Sequence, residues 1–167
     1  MQESISFLQW DTATKMPQAS VKSRSQQLSL LKTLYHNMIT ENIVGDLINE
    51  TKDSTVFHPT VQVLDIRKIS GTGEDRYRLI ISDGRFYAQS MITTQLNSLV
   101  EENKLQKNAI VKLNEYIINK VGERKIVIVL TMDIPIPQTD KIGNPIPIDK
   151  ANTAQAFMLN QGSDYNQ

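Results

Sequence analysis

Five short strand-like runs between residues 60 and 133, with one helical run between the third and fourth, predict a mainly β domain behind an α-helical N-terminal extension. The clearest run is Arg76–Ser82, which sets Tyr77, Leu79 and Ile81 against Arg76, Arg78 and Ile80, the period-two pattern of a strand with one buried face. Ser82-Asp83-Gly84 closes it with residues that tolerate tight-turn angles. The order of the runs is the third observation. Five strands with a helix between the third and fourth is the chain order of an OB-fold, a small Greek-key barrel. An open α+β sandwich competes, because strand count alone does not show closure.

The elements follow in order. Residues 20–38 read as a helix capped by Ser20, with Val21, Leu28, Leu31, Leu34, Tyr35 and Met38 near helical spacing. Upstream, Ile5, Phe7, Leu8 and Trp10 form an apolar patch ended by Met16-Pro17. Thr40 can cap a second helix over 41–49, with Ile43, Val44, Leu47 and Ile48 on its apolar side. The strands are 60–69, 76–82, 85–92, 109–118 and 125–133, and the helix between the third and fourth is 95–102. The first strand alternates Val61, Val63 and, less cleanly, Asp65 against Gln62, Leu64 and Ile66. Residues 70–75 form a polar connection with Gly71 and Gly73, and 119–124 join the last two strands. The prolines of 134–137 and 145–147 lack the ladder donor, so these segments read as extended chain wrapping the barrel. Beyond Asp149 the chain is rich in Gln, Asn and Ala and reads as a disordered linker. The expected organisation is therefore a helical extension over 1–38, a barrel over 39–148 and a linker over 149–167.

Composition narrows the function. Eighteen basic residues balance eighteen acidic ones, so any basic surface is local. The absence of cysteine excludes disulfides and thiolate metal sites. No apolar run approaches the roughly 20 residues of a membrane span, and the N-terminus lacks the pattern of a secretory signal, so an intracellular protein is expected. Asp65, Asp83 and Asp133 do not form a catalytic set: Asp83 is explained by its turn, and no nucleophile–base pair or metal cluster joins them. Lys104 and Lys112 sit among Glu101, Glu102 and Glu115 as ordinary mixed surface. A non-enzymatic protein without cofactor is expected.

Two resemblances cover different parts of the chain. Leu8-Gln9-Trp10-Asp11, Met16-Pro17 and Arg24-Ser25-Gln26-Gln27-Leu28 resemble the N-terminal helical region of carboxypeptidase Taq-like metallopeptidases, over roughly residues 5–50. Those enzymes need a His-Glu-x-x-His helix, because two imidazoles one turn apart hold one zinc. Only His36 and His58 occur here, in no such pattern, so the resemblance implies no catalytic residue.

Four other runs carry the second resemblance: 61–67 (Val-Gln-Val-Leu-Asp-Ile-Arg), 76–84, 94–102 and 141–147 (Lys-Ile-Gly-Asn-Pro-Ile-Pro). In order and spacing they resemble the N-terminal domain of the large subunit of replication protein A, over roughly residues 39–148. The resemblance implies a nuclear OB domain for DNA replication, repair and damage response, with other subunits of that complex engaged through regions absent here. It also implies a basic cleft that recruits acidic amphipathic segments of repair and checkpoint proteins. The basic positions fall on Arg67, Arg76, Arg78, Arg124 and Lys125, and the apolar floor on Met91 and Ile126. Where the family has a loop lysine this chain has Val121, with Lys120 one residue earlier as a candidate substitute. The strand after Gly84 is one residue shorter than the family pattern, which leaves Gln89 and Ser90 open as floor positions.

The residues themselves allow two ligand classes. Arginines two apart on one strand face suit carboxylate or phosphate, and equally suit a solvated surface. Single-stranded DNA also needs aromatic platforms worth roughly 1–3 kcal/mol per base. The barrel strands offer only Tyr77, Phe86, Tyr87 and Tyr116. Tyr77 is on the inward phase, and at most one of Phe86 and Tyr87 faces a groove. Weak single-stranded DNA binding is thus the alternative, and an acidic helix on a flexible Met-containing floor the first expectation.

Overall fold

A computed structural model describes residues 23–149. The chain divides into two compact units, one ending at Leu34 and one beginning at Tyr35. The helix α1, Arg24–Met38, starts where Ser23 and Gln26 satisfy each other. The Ser23 hydroxyl accepts from the Gln26 amide (3.3 Å), and the Gln26 side-chain oxygen accepts from the Ser23 amide (3.0 Å). This is a capping box, so the cap is Ser23; Ser20, the expected cap, lies outside the described residues. Leu28, Leu31, Leu34 and Met38 are exposed, and α1 buries no residue. The apolar patch at 5–10, Met16-Pro17 and the tail from 150 also lie outside the described residues.

The second helix, α2, is shorter than expected, Ile43–Asn49. Its apolar side chains Ile43, Val44, Leu47 and Ile48 are buried in the barrel core as read from their spacing. Its cap is not Thr40. The Thr40 hydroxyl instead accepts from the Thr60 amide (3.0 Å). Asn42 precedes the helix with φ 54° and no side-chain cap, and the carboxylate that accepts from the Val44 amide (3.0 Å) is Asp83, 39 residues on.

The strands are β1 Thr60–Ile69, β2 Arg76–Ser82, β3 Phe86–Ile92, β4 Ile110–Val121, β5 Arg124–Ile136 and a two-residue β6, Ile146–Pro147. Between β3 and β4 a 3₁₀ turn, Thr94–Leu96, leads into a one-turn helix α3, Asn97–Glu101, where a single helix was expected. The sheet order is β2-β1-β4-β5-β3-β6, and the further pairing of β2 with β3 closes five strands into a barrel. All pairings within the ring are antiparallel except β3 with β5. Closure excludes the open sandwich, and the chain is a mainly β OB barrel. Val61, Val63, Leu79, Ile81, Val111, Leu113, Val127 and Val129 fill it, all with 0% exposure.

Three strand expectations change. The fourth and fifth strands pair as far as Val121 with Arg124, so the six-residue connection shrinks to Gly122-Glu123, with Gly122 at φ 65°. Pro135 lies inside β5, not beyond it. At this end β5 has β4 as its neighbour (Ile110 opposite Ile136), whereas β3 pairs with β5 only at 127–129. A proline is accommodated on the unpaired side of such an edge.

The third change concerns Gln62, which the alternation sets on the outer phase of β1 but which is fully buried. The segment at 140–142 covers it. Its amide donates to the carbonyls of Asn108 (3.2 Å) and Asp140 (2.9 Å), and its oxygen accepts from the Ile142 amide (2.8 Å). The same segment makes its turn against the β2–β3 turn. Gly143 (φ 69°) approaches Gly84 so closely that a Cβ on Gly143 would stand 2.1 Å from the Gly84 carbonyl oxygen. The chain then returns along β3, pairing Ile146 and Pro147 with Phe86 and Tyr87.

Candidate basic cleft

Most of the candidate site sits on the outer face of β1, β2, β3 and β5, and a bulge in β1 puts part of it there. Val63 faces Ile81 across β1 and β2, both buried, whereas the next cross-strand pair is Asp65 with Ile80. The extra residue, Leu64, shifts the phase, so that Asp65 and Arg67 turn outward where strict alternation from Val63 would turn them in. Arg67 then faces Arg78, Arg78 faces Met91, and Met91 faces Ile128. Ile117 faces Ile128 on the far side. One row across five strands thus runs from two guanidiniums to three apolar side chains.

The neighbouring positions extend both halves. Arg76 faces Ile69 at the open end of β2, and both are exposed. Ile80 faces Gln89, and Tyr87 is on the same phase of β3. Ile126, in phase with Ile128, is half-buried. Ser90 is not on this face: it is fully buried and donates its hydroxyl to the Val127 carbonyl (2.8 Å). Phe86 packs on the core, with the Arg85 guanidinium 5.3 Å from its ring centre. Tyr77 and Tyr116 are buried, so Tyr87 is the aromatic left on the outward phase of the described barrel strands.

Electrostatics differ from one arginine to the next. Like charges directly opposite on a sheet repel, and Arg67 stands opposite Arg78. Asp65 offsets this by accepting from the Arg67 Nε at 2.9 Å, with the Arg67 side chain largely open to water and Asp65 half-buried. On the other phase, Lys68 and Asp75 pair at 2.7 Å across the β1–β2 hairpin. The bond and charge of Asp75 raise the Lys68 pKa, and the bond from Lys68 lowers that of Asp75.

The remaining candidates group around the β4–β5 hairpin. Arg124 and Val121 are paired at its tip and exposed. Lys120 and Lys125 also face each other, but in the phase of Ile118 and Val127 rather than that of Ile126 and Ile128. Lys125 donates to the Glu50 carboxylate at 3.0 Å. Arg124 and Lys125 nevertheless line a shallow hollow of about 190 Å³ with Tyr87, Gln89 and Pro147. The structure therefore gathers Arg67, Arg76, Arg78, Met91 and Ile126 on the outer face, keeps Arg124 at its edge, holds Lys125 against Glu50 at the rim of the hollow, and sets Lys120 on the other side of the hairpin.

Ile128, Ile117 and Ile80 complete the apolar half, and sequence reasoning did not single out the first two. Residues 126–130, Ile-Val-Ile-Val-Leu, are apolar in both phases, so alternation carries no signal for which phase faces out. A second hollow of about 250 Å³ lies between α2 and β4, lined by Asp46, Lys52, Phe57, Tyr116 and Ile117 among others. Its charges are engaged: Lys52 pairs with Asp46 (3.4 Å) and lies 4.5 Å from the Phe57 ring centre. Among the described residues no group of three or more His, Asp or Glu is placed to hold a metal ion.

Comparison with known proteins follows the barrel. Residues 39–136 match the family model described as "Replication factor-A protein 1, N-terminal domain". The chain is 41% identical over 132 residues to Replication factor A protein 1 of Schizosaccharomyces pombe, covering 74% of this chain and 21% of that protein. It is 44% identical over 96 residues to the Replication protein A 70 kDa DNA-binding subunit of Xenopus laevis, covering 53% of this chain and 16% of that one. For the subunit of the same name in Mus musculus the figures are 37% over 118 residues, 67% and 19%. The chain spans about a fifth or less of the length of these relatives. On the family match and the closed barrel that carries it, this chain belongs to the family of N-terminal domains of the replication protein A large subunit.

Proposed function

We propose that this domain is a non-catalytic recruitment module, which binds acidic amphipathic helices of replication, repair and checkpoint proteins on the outer face of its barrel. The row Arg67–Arg78–Met91–Ile128 carries the reading. A helix with one acidic and one apolar side, laid along the strands, meets guanidiniums on one flank and a methionine–isoleucine floor on the other. Arginine pairs bidentately with carboxylates, and methionine adapts to differing partner side chains. Arg124 extends the basic rim at one end. Lys120 would join it only by reaching around the hairpin, whereas Lys125, which lines the hollow beside Tyr87 and Gln89, would exchange Glu50 for the partner.

Weak single-stranded DNA binding is the second reading, favoured by the outward Tyr87 and by the words "DNA-binding subunit" in the names of several relatives. A single stacking platform leaves most of the affinity to salt-sensitive phosphate contacts. The nucleus is the proposed site of action, in keeping with the replication proteins this chain is similar to.

One titration separates the readings. A labelled acidic amphipathic peptide and a dT oligomer are each titrated at low and at physiological salt. The peptide is expected to bind more tightly at physiological salt, and tighter oligomer binding there would overturn the recruitment reading.

A further inference from the structure

Asp65 is an acid inside a basic face. The β1 bulge turns it outward beside Arg67, and its Oδ2 accepts from the Arg67 Nε at 2.9 Å. A guanidinium offers two useful edges to a carboxylate, one through Nε and one Nη, the other through both Nη atoms. The bond at Nε engages the first edge. We propose that Asp65 tunes the anion affinity of the outer face through Arg67: it leaves the paired Nη edge for a partner's carboxylate and competes for the guanidinium with every acidic ligand. This inference rests on the recruitment reading for the identity of that ligand.

The geometry supports a role as a competitor for Arg67 over simple solubility. Arg67 is the long side chain that the bulge brings opposite Arg78, and its side chain is 68% exposed. Without a neighbour it would be free to swing away from the like charge. Asp65 sits two residues back on the same strand face, where its carboxylate holds the guanidinium alongside β1. The cost is one negative charge within the docking surface. That charge repels a partner's carboxylates in proportion to their number, so its removal is expected to help a strongly acidic segment most.

The test uses the full chain and two probes, the acidic peptide and the dT oligomer, at low salt. Asp65→Asn is expected to raise affinity for whichever probe binds by about threefold, and Asp65→Lys by about tenfold. Asp65→Glu is expected to stay within about twofold of the unaltered chain, since it keeps the charge. In an Arg67→Ala background the gain from Asp65→Asn is expected to fall below about 1.5-fold, an effect that damage to the fold would not reproduce. Equal affinities for Asp65→Asn and the unaltered chain would overturn the inference. So would a full threefold gain in the Arg67→Ala background, which would place the effect in long-range charge and not in Arg67. If only the oligomer binds, the recruitment reading fails while the Asp65 comparison is still decided on the oligomer. Binding of neither probe overturns both.

Discussion

The two ends of β2 carry polar residues of one phase into different surroundings. Arg76, at its start, is exposed and Arg78 half-buried on the outer face, whereas Ser82, at its end, is fully buried opposite Gln62. The backbone is the same antiparallel ladder throughout. What differs is the cover. The 140–148 segment and α2 reach the far end through Gln62 and Asp83, whereas at the near end Arg76 is exposed. Under the cover each polar group is met by a specific partner: Asp83 accepts from three backbone amides, Val44, Arg85 and Phe86, at 2.7–3.0 Å, and Gln62 makes three bonds to other segments. A buried polar group without such partners would cost about 1–3 kcal/mol. In the open, Arg76 and Arg78 make no ion pair among the described residues, and only their neighbour Arg67 is engaged, by Asp65. Polar residues on one strand face therefore serve folding at one end and, in the function proposed above, binding at the other.

Substitutions at the two ends should separate these roles. The largest effect is expected at Asp83, where Asp83→Ala strands three amides and removes the cap of α2. A loss of about 3 kcal/mol in urea unfolding is expected, with little change in peptide affinity for the fraction that remains folded. Gln62→Ala is expected to cost about 2 kcal/mol and to speed hydrogen exchange at Ile142. An unchanged exchange rate there would break the assignment of Gln62 as the tie for the covering segment.

At the open end the signature reverses. Arg78→Glu is expected to weaken the acidic peptide at least about tenfold, roughly 1.4 kcal/mol, while unfolding stability moves by less than about 0.5 kcal/mol. If peptide affinity is unchanged, the cleft is elsewhere, whatever the ligand class.

The smallest effect is expected at Tyr116, buried in the core, whose hydroxyl donates to the Phe57 carbonyl at 3.2 Å. Burial, with a smaller contribution from the charge of Asp53, raises its pKa above the ordinary value. The unfolded chain therefore gives up this phenolic proton first as pH climbs past about 10, and stability falls with rising pH. Tyr116→Phe is expected to cost about 1 kcal/mol at neutral pH and to flatten that alkaline slope. A slope of the same steepness in the variant would assign it to other groups.

Much of this architecture was legible in the chain. The burial phase of Tyr77, Leu79 and Ile81 follows from a two-residue period that one strand displays by itself, and the apolar side of α2 from helical spacing. The errors have a common cause, since each concerns a residue whose partner is distant in sequence. Thr40 was the local candidate to cap α2, but the carboxylate that reaches its first turn belongs to Asp83. Gln62 was assigned outward because its cover comes from Asp140 and Ile142. Pro135 was excluded from a strand because the missing neighbour on one side of β5 is a property of the sheet, not of the proline. For the candidate site, Arg76 and Arg78 were visible as a pair, whereas Ile117 and Ile128 were hidden in runs apolar on both phases.

Local periodicity and turn chemistry in the sequence were enough to determine the strands, their order and the outward arginines of β2, because these depend on interactions within a few residues. Closure of the ring through the β3–β5 and β2–β3 pairings, the bulge that turns Asp65 and Arg67 outward, and the burial of Ser82 and Gln62 were decided only in the tertiary structure. Each requires segments far apart in the chain to meet. A side chain's phase is set by its strand, but whether that phase faces water, core or partner is set by what packs over it.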